Sequence, residues 1–382
     1  MLRFLTAGES HGPCLTAIVE GLPSGLALSE DDLAAELARR QSGYGRGGRM
    51  NIERDRADIL AGVAQGRTTG GPLALRIENR DWPNWKDRVL PPLTVPRPGH
   101  ADWAGGIKYG HRDFRVVLER ASARETAARV AVGAVAKRLL AEFGTSVHSQ
   151  VIQIGTVRAR PAEELTPELT ARIEESPFRC ADPAAEEAMR ALVDDARKRG
   201  DTLGGIFEVV VTGVVPGLGS FVHWDRRLDG RLAQALMSIQ AVKGVEIGEG
   251  FAEAERPGTQ AHDQFYARDG AVVRGTNRAG GTEGGVSNGQ PLVVRAAMKP
   301  ISTTIAPQRS VDLATGAEAP TQYQRSDVCA VPAAAVVGEA MVAFVVADAF
   351  LEKFGGDSIR DIRANLKSYL EASGYWLRVA ER

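Results

Sequence analysis

The sequence predicts an α+β fold in which a layer of buried helices lies between sheets. Three observations carry this. Two helical stretches, 122–144 and 332–355, hold Ala, Val, Met and Phe on nearly every face, and a helix that is apolar all round is buried all round. Strand-like apolar runs flank them at 73–77, 207–215 and 292–298. With 382 residues, 43% of them hydrophobic, the chain is long enough to bury a large core. No stretch reads as a long linker and no repeat is apparent, so 1–382 is read as one domain. Helices with sheets outside them invert the usual doubly wound order, in which the sheet is central.

The elements follow in order. A short strand at 3–6 leads into a glycine-flanked turn. A first helix is expected over about 30–40, with Ser29 as N-cap and Leu33 and Leu37 on one face. The second opens at Ser122-Ala123-Arg124-Glu125, the spacing of a capping box, and ends near Gly144. The segment around 160–200, rich in Glu, Ala, Arg and Pro, reads as a solvated insertion of short helices. A third helix covers roughly 226–243, with Leu228, Leu232, Leu236 and Ile239 at helical spacing. The fourth starts at Pro332, a good first helical position, and ends at Gly355-Gly356. Its most apolar part, 336–350, contains Glu339 and Asp348 and is too short and too charged to span a membrane. Residues 357–382 read as a polar C-terminal helical tail.

Charge and cysteine usage exclude several classes. The formal net charge is −1, from 47 basic and 48 acidic side chains. Attraction of nucleic acid by a global field is not expected, and anion binding must come from local clusters of arginine. Cys14, Cys180 and Cys329 are odd in number, widely spaced and form no CxxC. Neither a disulfide framework nor a metal site is expected, and a reducing compartment fits. The N-terminus has no basic segment followed by a long apolar one, so the expected location is the cytoplasm. Walker A, HExxH and GxSxG motifs are absent, which removes the usual support for a P-loop kinase, a zinc peptidase or a serine hydrolase.

Glycine is high, 42 residues or about 11% against a typical ~7%. The excess lies beside Arg, His and Ser, where it lets backbone N–H groups approach a ligand. Gly8-Glu9-Ser10-His11-Gly12 presents a histidine suited to proton transfer near neutrality, or a loop histidine with a structural bond. The stretch 39–49 carries Arg39, Arg40, Arg46 and Arg49 among four glycines. Arginine suits bidentate recognition of carboxylate and phosphate, and the other reading is a basic loop. It contains GxGxxG, but after a helix rather than after a strand, so no dinucleotide fold follows. Arg97-Pro98-Gly99-His100-Ala101-Asp102 places a second histidine beside Arg97 and beside a carboxylate able to orient it; an ordinary turn is the alternative. At 119–126 Arg120 and Arg124 flank Ser122 at a helix N-terminus, a place where phosphate binds well. The loop 277–289 holds two Gly-Gly pairs and leads through a strand to Lys299-Pro300-Ile301-Ser302-Thr303, which fits a cofactor phosphate or flavin edge, or a long hairpin loop. Arg325-Ser326-Asp327 precedes the last buried helix and reads as a pocket floor or a structural ion pair.

In this order the motifs resemble the chorismate synthase family. The matching segments are GESHG (8–12), RRQSGYGRGGRM (39–50), RPGHAD (97–102), KYG (108–110), ERASARETAARVA (119–131), DTLGG (201–205), QAVKGVEIG (240–248), NRAGG-EGG-SNGQP (277–291), KPIST (299–303) and RSDVCAVPAA (325–334). The resemblance implies a β-α-β sandwich with central helices between antiparallel sheets, and a homotetramer. It implies 1,4-anti elimination of phosphate from 5-enolpyruvylshikimate 3-phosphate, with reduced FMN required and no net redox change. His11 then protonates the departing phosphate and His100 protonates the reduced flavin. Asp327 assists removal of the ring proton, and Ser10 and Ser122 support these steps. Arg40, Arg46, Arg49, Arg97, Arg124 and Arg325 form the substrate clamp. Arg120, Ala121, Ser122, Gln240, Ala241, Gly284, Lys299, Pro300, Ile301, Ser302, Thr303 and Arg325 hold FMN. Arg40 and Arg46 are also positions proposed to contact NADP in some members. The chain lacks the long insertions of forms that reduce their own flavin, so an external flavin reductase is expected, with NADPH at most an indirect electron source. His111 matches no catalytic position. Two other readings stand beside this one: a flavin oxidoreductase with net hydride transfer, and a non-catalytic polyanion-binding protein.

Overall fold

The computed structural model describes residues 1–47, 54–162, 164–324 and 326–374. The first sheet is antiparallel, in the order β1 (Arg3–Ala7), β2 (Cys14–Glu20), β6 (Leu73–Glu78), β3 (Ala57–Ala61). Its central strands β2 and β6 alternate strictly. Leu15, Ala17 and Val19 are buried and sit in register with Ile77, Leu75 and Leu73, which are also buried. Ile18, Arg76 and Glu78 point away from the core. A small hairpin of β4 (Val63–Ala64) and β5 (Arg67–Thr68) lies between β3 and β6 in sequence. The second sheet is also antiparallel, in the order β10 (Val242–Ile247), β15 (Leu292–Met298), β9 (Gly205–Thr212), β7 (Ser146–Ile154), β8 (Val157–Arg158). Three further hairpins are separate from both sheets: β11–β12 (Phe265–Arg268, Ala271–Arg274), β13–β14 (Thr282–Glu283, Val286–Ser287) and β16–β17 (Arg309–Val311, Glu318–Pro320).

Two helices, α4 (Thr126–Ala141) and α9 (Val331–Phe354), pack on each other. α4 contacts β1, β2 and β6 of the first sheet, and α9 contacts β7 and β9 of the second. They cross where side chains nearly vanish: a Cβ on Gly133 would lie 2.2 Å from that of Ala340. The sequence shows these helices as buried because almost every position is apolar, and both are buried along most of their length. α1 (Glu30–Gln41), α7 (Leu228–Met237) and α10 (Ile359–Ser373) cover α9. α2 (Asp102–Tyr109) and α3 (Phe114–Ala121) pair with each other, and Phe114 and Leu118 join Leu93 in a small separate apolar cluster. α5 (Pro167–Glu175) and α6 (Pro183–Lys198) form the excursion expected around 160–200, and α8 (Gly258–Ala261) is a single turn.

Three expectations need correction. The third helix stops at Met237, six residues short of the expected end at 243. Ile239 is buried in the expected way, but Ala241 adopts φ 68° and turns the chain into β10, where pairing with β15 takes over. The capping box at Ser122 is only half formed: Ser122 accepts from Arg124 N and caps a 3-10 turn, whereas Glu125 binds Thr6 and Arg129 instead of reaching back. The last core helix is 24 residues, long and apolar enough by composition to cross a membrane, but most of it is buried inside the protein.

That helix also carries a charge at its centre. Glu339 is fully buried and pairs with Arg39 (2.7 Å), Lys137 (2.8 Å) and Arg179 (3.1 Å), and Ser149 donates to it. Glu36 bridges Arg39 and Lys137, and Glu174 bridges Arg39 and Arg179. Burial alone would push the Glu339 carboxyl up, but Lys137, Arg39 and Arg179 hold it well below the carboxylate range. Three carboxylates and three cations thus tie α1, α4, α5 and the segment after α5 to α9.

Candidate active site

The N-terminal ends of α4 and α9 converge on one cavity of about 470 Å³. Ala123, Arg124 and Thr126 enter from the first, and Ala330, Ala333 and Ala334 from the second. Neither α-helix has a side-chain cap on its own first turn, and residues at both positive dipole ends line this anion-sized space. The last turn of α1 adds Arg40, and the loop after it adds Arg46 and Gly47.

His11 and His100 both line this cavity, each fixed in the same way. His100 Nδ1 lies 2.5 Å from Asp102 Oδ1. A carboxylate only accepts, so Nδ1 carries the proton and Nε2 is left for a ligand. Arg97 Nη2 is 2.9 Å from the same nitrogen, a contact between two donors and not a hydrogen bond. Asp102 is fully buried. Burial would raise its pKa, but the bonds from His100 and Arg97 outweigh it and hold the carboxyl well below the usual range. His11 Nδ1 lies 2.8 Å from Glu119 Oε1, and its backbone N donates to Glu119 Oε2 at 2.7 Å. The indole of Trp85 covers the imidazole with ring centroids 4.0 Å apart. Ser122 Oγ donates to the buried Ser10 Oγ at 3.3 Å beside it.

The arginines divide into two kinds. Arg97 is committed to Asp102 through Nε (2.8 Å), Nη2 (2.9 Å) and its own backbone N (3.1 Å), and donates to Thr303 Oγ1 (3.0 Å). Arg124 grips both oxygens of Asp55 through Nη1, at 2.7 and 2.6 Å, and also donates to Asn79 Oδ1. Asn79 in turn donates to the carbonyls of Glu9 and Gly12 and so ties Arg124 to the His11 turn. Arg40 is different. Its Nε binds Thr126 and its Nη2 binds Ala123 O, but among the described residues Nη1 has no hydrogen-bond partner, and Asp55 lies 3.6 Å from it. Burial, with Arg124 and Arg46 adding to it and Asp55 opposing, pushes Arg40 down to about 10, still charged at neutral pH. Arg46 pairs with Asp327 Oδ2 at 2.7 Å, and Gly47 N donates to Oδ1 at 2.6 Å. Lys299 lines the cavity without an ion-pair partner among the described residues; burial and Lys243 lower its pKa.

Of the remaining predicted residues, Ala121, Gln240, Ala241, Ile301, Ser302 and Thr303 line the cavity. Arg120 does not: it donates to the carbonyls of Thr6 and Gly8 and faces a shallower hollow with Phe4 and Leu5. Gly284 sits in the β13–β14 turn, where the nearest atom to an added Cβ is Cβ of Phe221 at 3.9 Å, and Pro300 is exposed; neither lines the cavity. Arg49 and Arg325 lie outside the described residues. His111 is exposed beside Tyr109. Sequence reasoning missed Glu119, Trp85, Asp55 and Asn79. Glu119 opens a quoted motif, but its partner is 108 residues away; Asp55 and Asn79 belong to no motif. Cys329 lies behind the Arg46 loop, and burial pushes its thiol up to about 11, which removes it as a nucleophile.

The chain is similar to known proteins over nearly its whole length. The family model for chorismate synthase matches residues 2–351. A chorismate synthase of Leifsonia xyli subsp. xyli is 56% identical over 388 residues, covering 97% of this chain and 96% of that protein. One from Moorella thermoacetica is 58% identical over 378 residues, with 97% and 98% covered. A crystal structure of a chorismate synthase superposes with a TM-score of 0.80 at 46% identity, covering 97% of this chain and 98% of the other.

Proposed function

The chain belongs to the chorismate synthase family and is a lyase of that type, and we propose that it removes phosphate from 5-enolpyruvylshikimate 3-phosphate by 1,4-anti elimination, giving chorismate. The supporting observation is the pair of imidazoles in one cavity, each with Nδ1 committed to a carboxylate and Nε2 left for a ligand. Two such groups serve two separate proton transfers.

The substrate carries two carboxylates and a phosphate, about four negative charges. Arg40 and Arg46 offer it guanidinium groups, with Arg49 and Arg325 proposed beside them, and each charge-assisted bond contributes about 1.5–3 kcal/mol. Arg97 and Arg124 act at one remove, by holding Asp102 and the His11 turn. His11 delivers a proton from Nε2 to the departing phosphate, with the Ser10–Ser122 hydroxyl pair alongside. Asp327, steadied by Arg46 and Gly47 N, takes up the ring proton. His100 holds a proton on Nε2 at the cofactor's edge.

Reduced FMN fits the other wall. Among the described residues Gln240 Oε1 is a buried acceptor with no hydrogen bond and Lys299 a cation with no ion-pair partner, and Ala241, Ile301, Ser302 and Thr303 line the same cavity. These residues would hold the flavin, which when bound supplies electron density as phosphate leaves. Arg120, Pro300 and Gly284 remain candidates for its periphery. The packing of one sheet on each side of the α4–α9 pair is read as the β-α-β sandwich of this family. A cytoplasmic homotetramer, supplied with flavin by a separate reductase and indirectly by NADPH, completes the proposal.

The test is anaerobic phosphate release with pre-reduced FMN. Phosphate and chorismate should form while the flavin stays reduced; stoichiometric flavin oxidation would sink the assignment. His11→Ala and His100→Ala should bind substrate yet lose phosphate release. Unchanged rates in either would remove that histidine from the chemistry.

A further inference from the structure

The loop between α1 and residue 47 has no secondary structure of its own, and its two faces meet different parts of the protein. Tyr44 points away from the cavity. Its ring lies 5.2 Å from that of Phe178, with the Arg190 and Arg197 guanidiniums 4.7 and 5.3 Å from its centroid. Its hydroxyl donates to Asp194 Oδ1 at 2.8 Å, where Arg197 also donates, and its backbone N donates to Pro177 O at 2.7 Å. All of these partners lie in the α5–α6 excursion. Two residues on, Arg46 turns the opposite way into the cavity and meets Asp327. Gly45 between them takes φ 86°, and a Cβ there would lie 3.2 Å from both Cys329 Cβ and Val193 Cγ1. Its carbonyl accepts from Val328 N at 2.8 Å. The loop is therefore a thin layer between the excursion and the strip 326–329.

We propose that the α5–α6 excursion is part of the active-site scaffold and that Tyr44 is the positioning residue through which it aims Arg46 at Asp327 and the substrate. The sequence marks this excursion as solvated because its outer face is, but its inner face makes a socket of Phe178, Arg190, Asp194 and Arg197 for one aromatic ring. In extended backbone side chains two apart would share a side; the left-handed Gly45 breaks that alternation and sends Tyr44 and Arg46 apart, so seating Tyr44 sets the direction of Arg46. The proposal rests on Arg46 being a substrate contact.

The experiment is a double-mutant cycle on the full chain, with phosphate release and thermal midpoint measured in parallel. Tyr44→Ala should raise KM for the substrate about tenfold, with a smaller change in kcat, and Tyr44→Phe should recover most of the loss. In an Arg46→Ala background, Tyr44→Ala should change kcat/KM by less than about twofold while lowering the thermal midpoint by the same amount as in the wild type. An equal kinetic loss in both backgrounds, or wild-type kinetics in Tyr44→Ala, overturns the positioning role. Wild-type kinetics in Arg46→Ala overturns the assignment of Arg46 itself, and this proposal with it. If Tyr44→Ala does not fold, Tyr44→Leu, which keeps apolar bulk against Phe178, takes its place in the cycle.

Discussion

Asp102 joins stability to chemistry in a single carboxylate. It fixes the His100 tautomer and at the same time neutralises the buried Arg97. Asp102→Asn should therefore act twice. Phosphate release should fall by about 10²-fold or more, because the amide no longer enforces Nδ1–H, and stability should fall by about 3–5 kcal/mol, because Arg97 is left buried and unpaired. Steady-state rates and denaturant midpoints separate the two; wild-type values of both would refute the role given to Asp102. This pair was readable in the sequence because His100 and Asp102 stand two residues apart. The Glu119–His11 pair was not, since only folding brings α3 beside the first turn. Nor could composition reveal that Arg97 and Arg124 are occupied by carboxylates while Arg40 keeps a nitrogen without a hydrogen bond among the described residues. Arg97, Arg124 and Arg40 all sit in motifs of the same character, and only the position of Asp55 and Asp102 tells them apart.

The excursion and the core helices are held together by the cluster around Glu339, and its outer member can be titrated. Burial would raise Glu174, but bonds from Arg179 and Arg39 hold it down to about 2, below its ordinary 4.5. A depressed carboxylate stabilises the fold above its unfolded value and loses that contribution as pH falls through the folded one. Wild type should therefore exceed Glu174→Gln in chemical stability at pH 7, and the difference should shrink between about pH 4.5 and 2. A pH-independent difference would show that packing, not ionisation, is what Glu174 provides. The core helices were legible because burial on all faces leaves an all-round apolar pattern. The overrun of α7 has a plain cause: helical leucine spacing persists to Ile239, but the left-handed backbone at Ala241 and the pairing of β10 lie outside that pattern. β2 and β7 escaped for a related reason. β2 blurs the alternation in its sequence by exposing Ile18 and burying the small Ala17, and β7 mixes polar residues such as His148 and Gln150 into a largely buried strand.

For the molecule as a whole, near-neutral charge limits what long-range attraction can do. With a formal net charge of −1, capture of a multiply anionic substrate depends on a field confined to the cavity. Raising ionic strength from about 0.01 to 0.1 M shortens the screening length from about 30 to about 10 Å. Over that range kcat/KM should fall by less than about tenfold, where a strongly steered enzyme would lose more; a steeper fall would show that charges far from the cavity guide the substrate in. Part of that local field has no side chain behind it. The residues that open α4 and α9 line the cavity, and the positive dipole ends of these helices neither titrate nor yield to substitution. Stripping the arginines one by one should therefore approach a residual anion affinity rather than zero. The two helices that build the core also set that residue of affinity, so it can be lost only together with the fold.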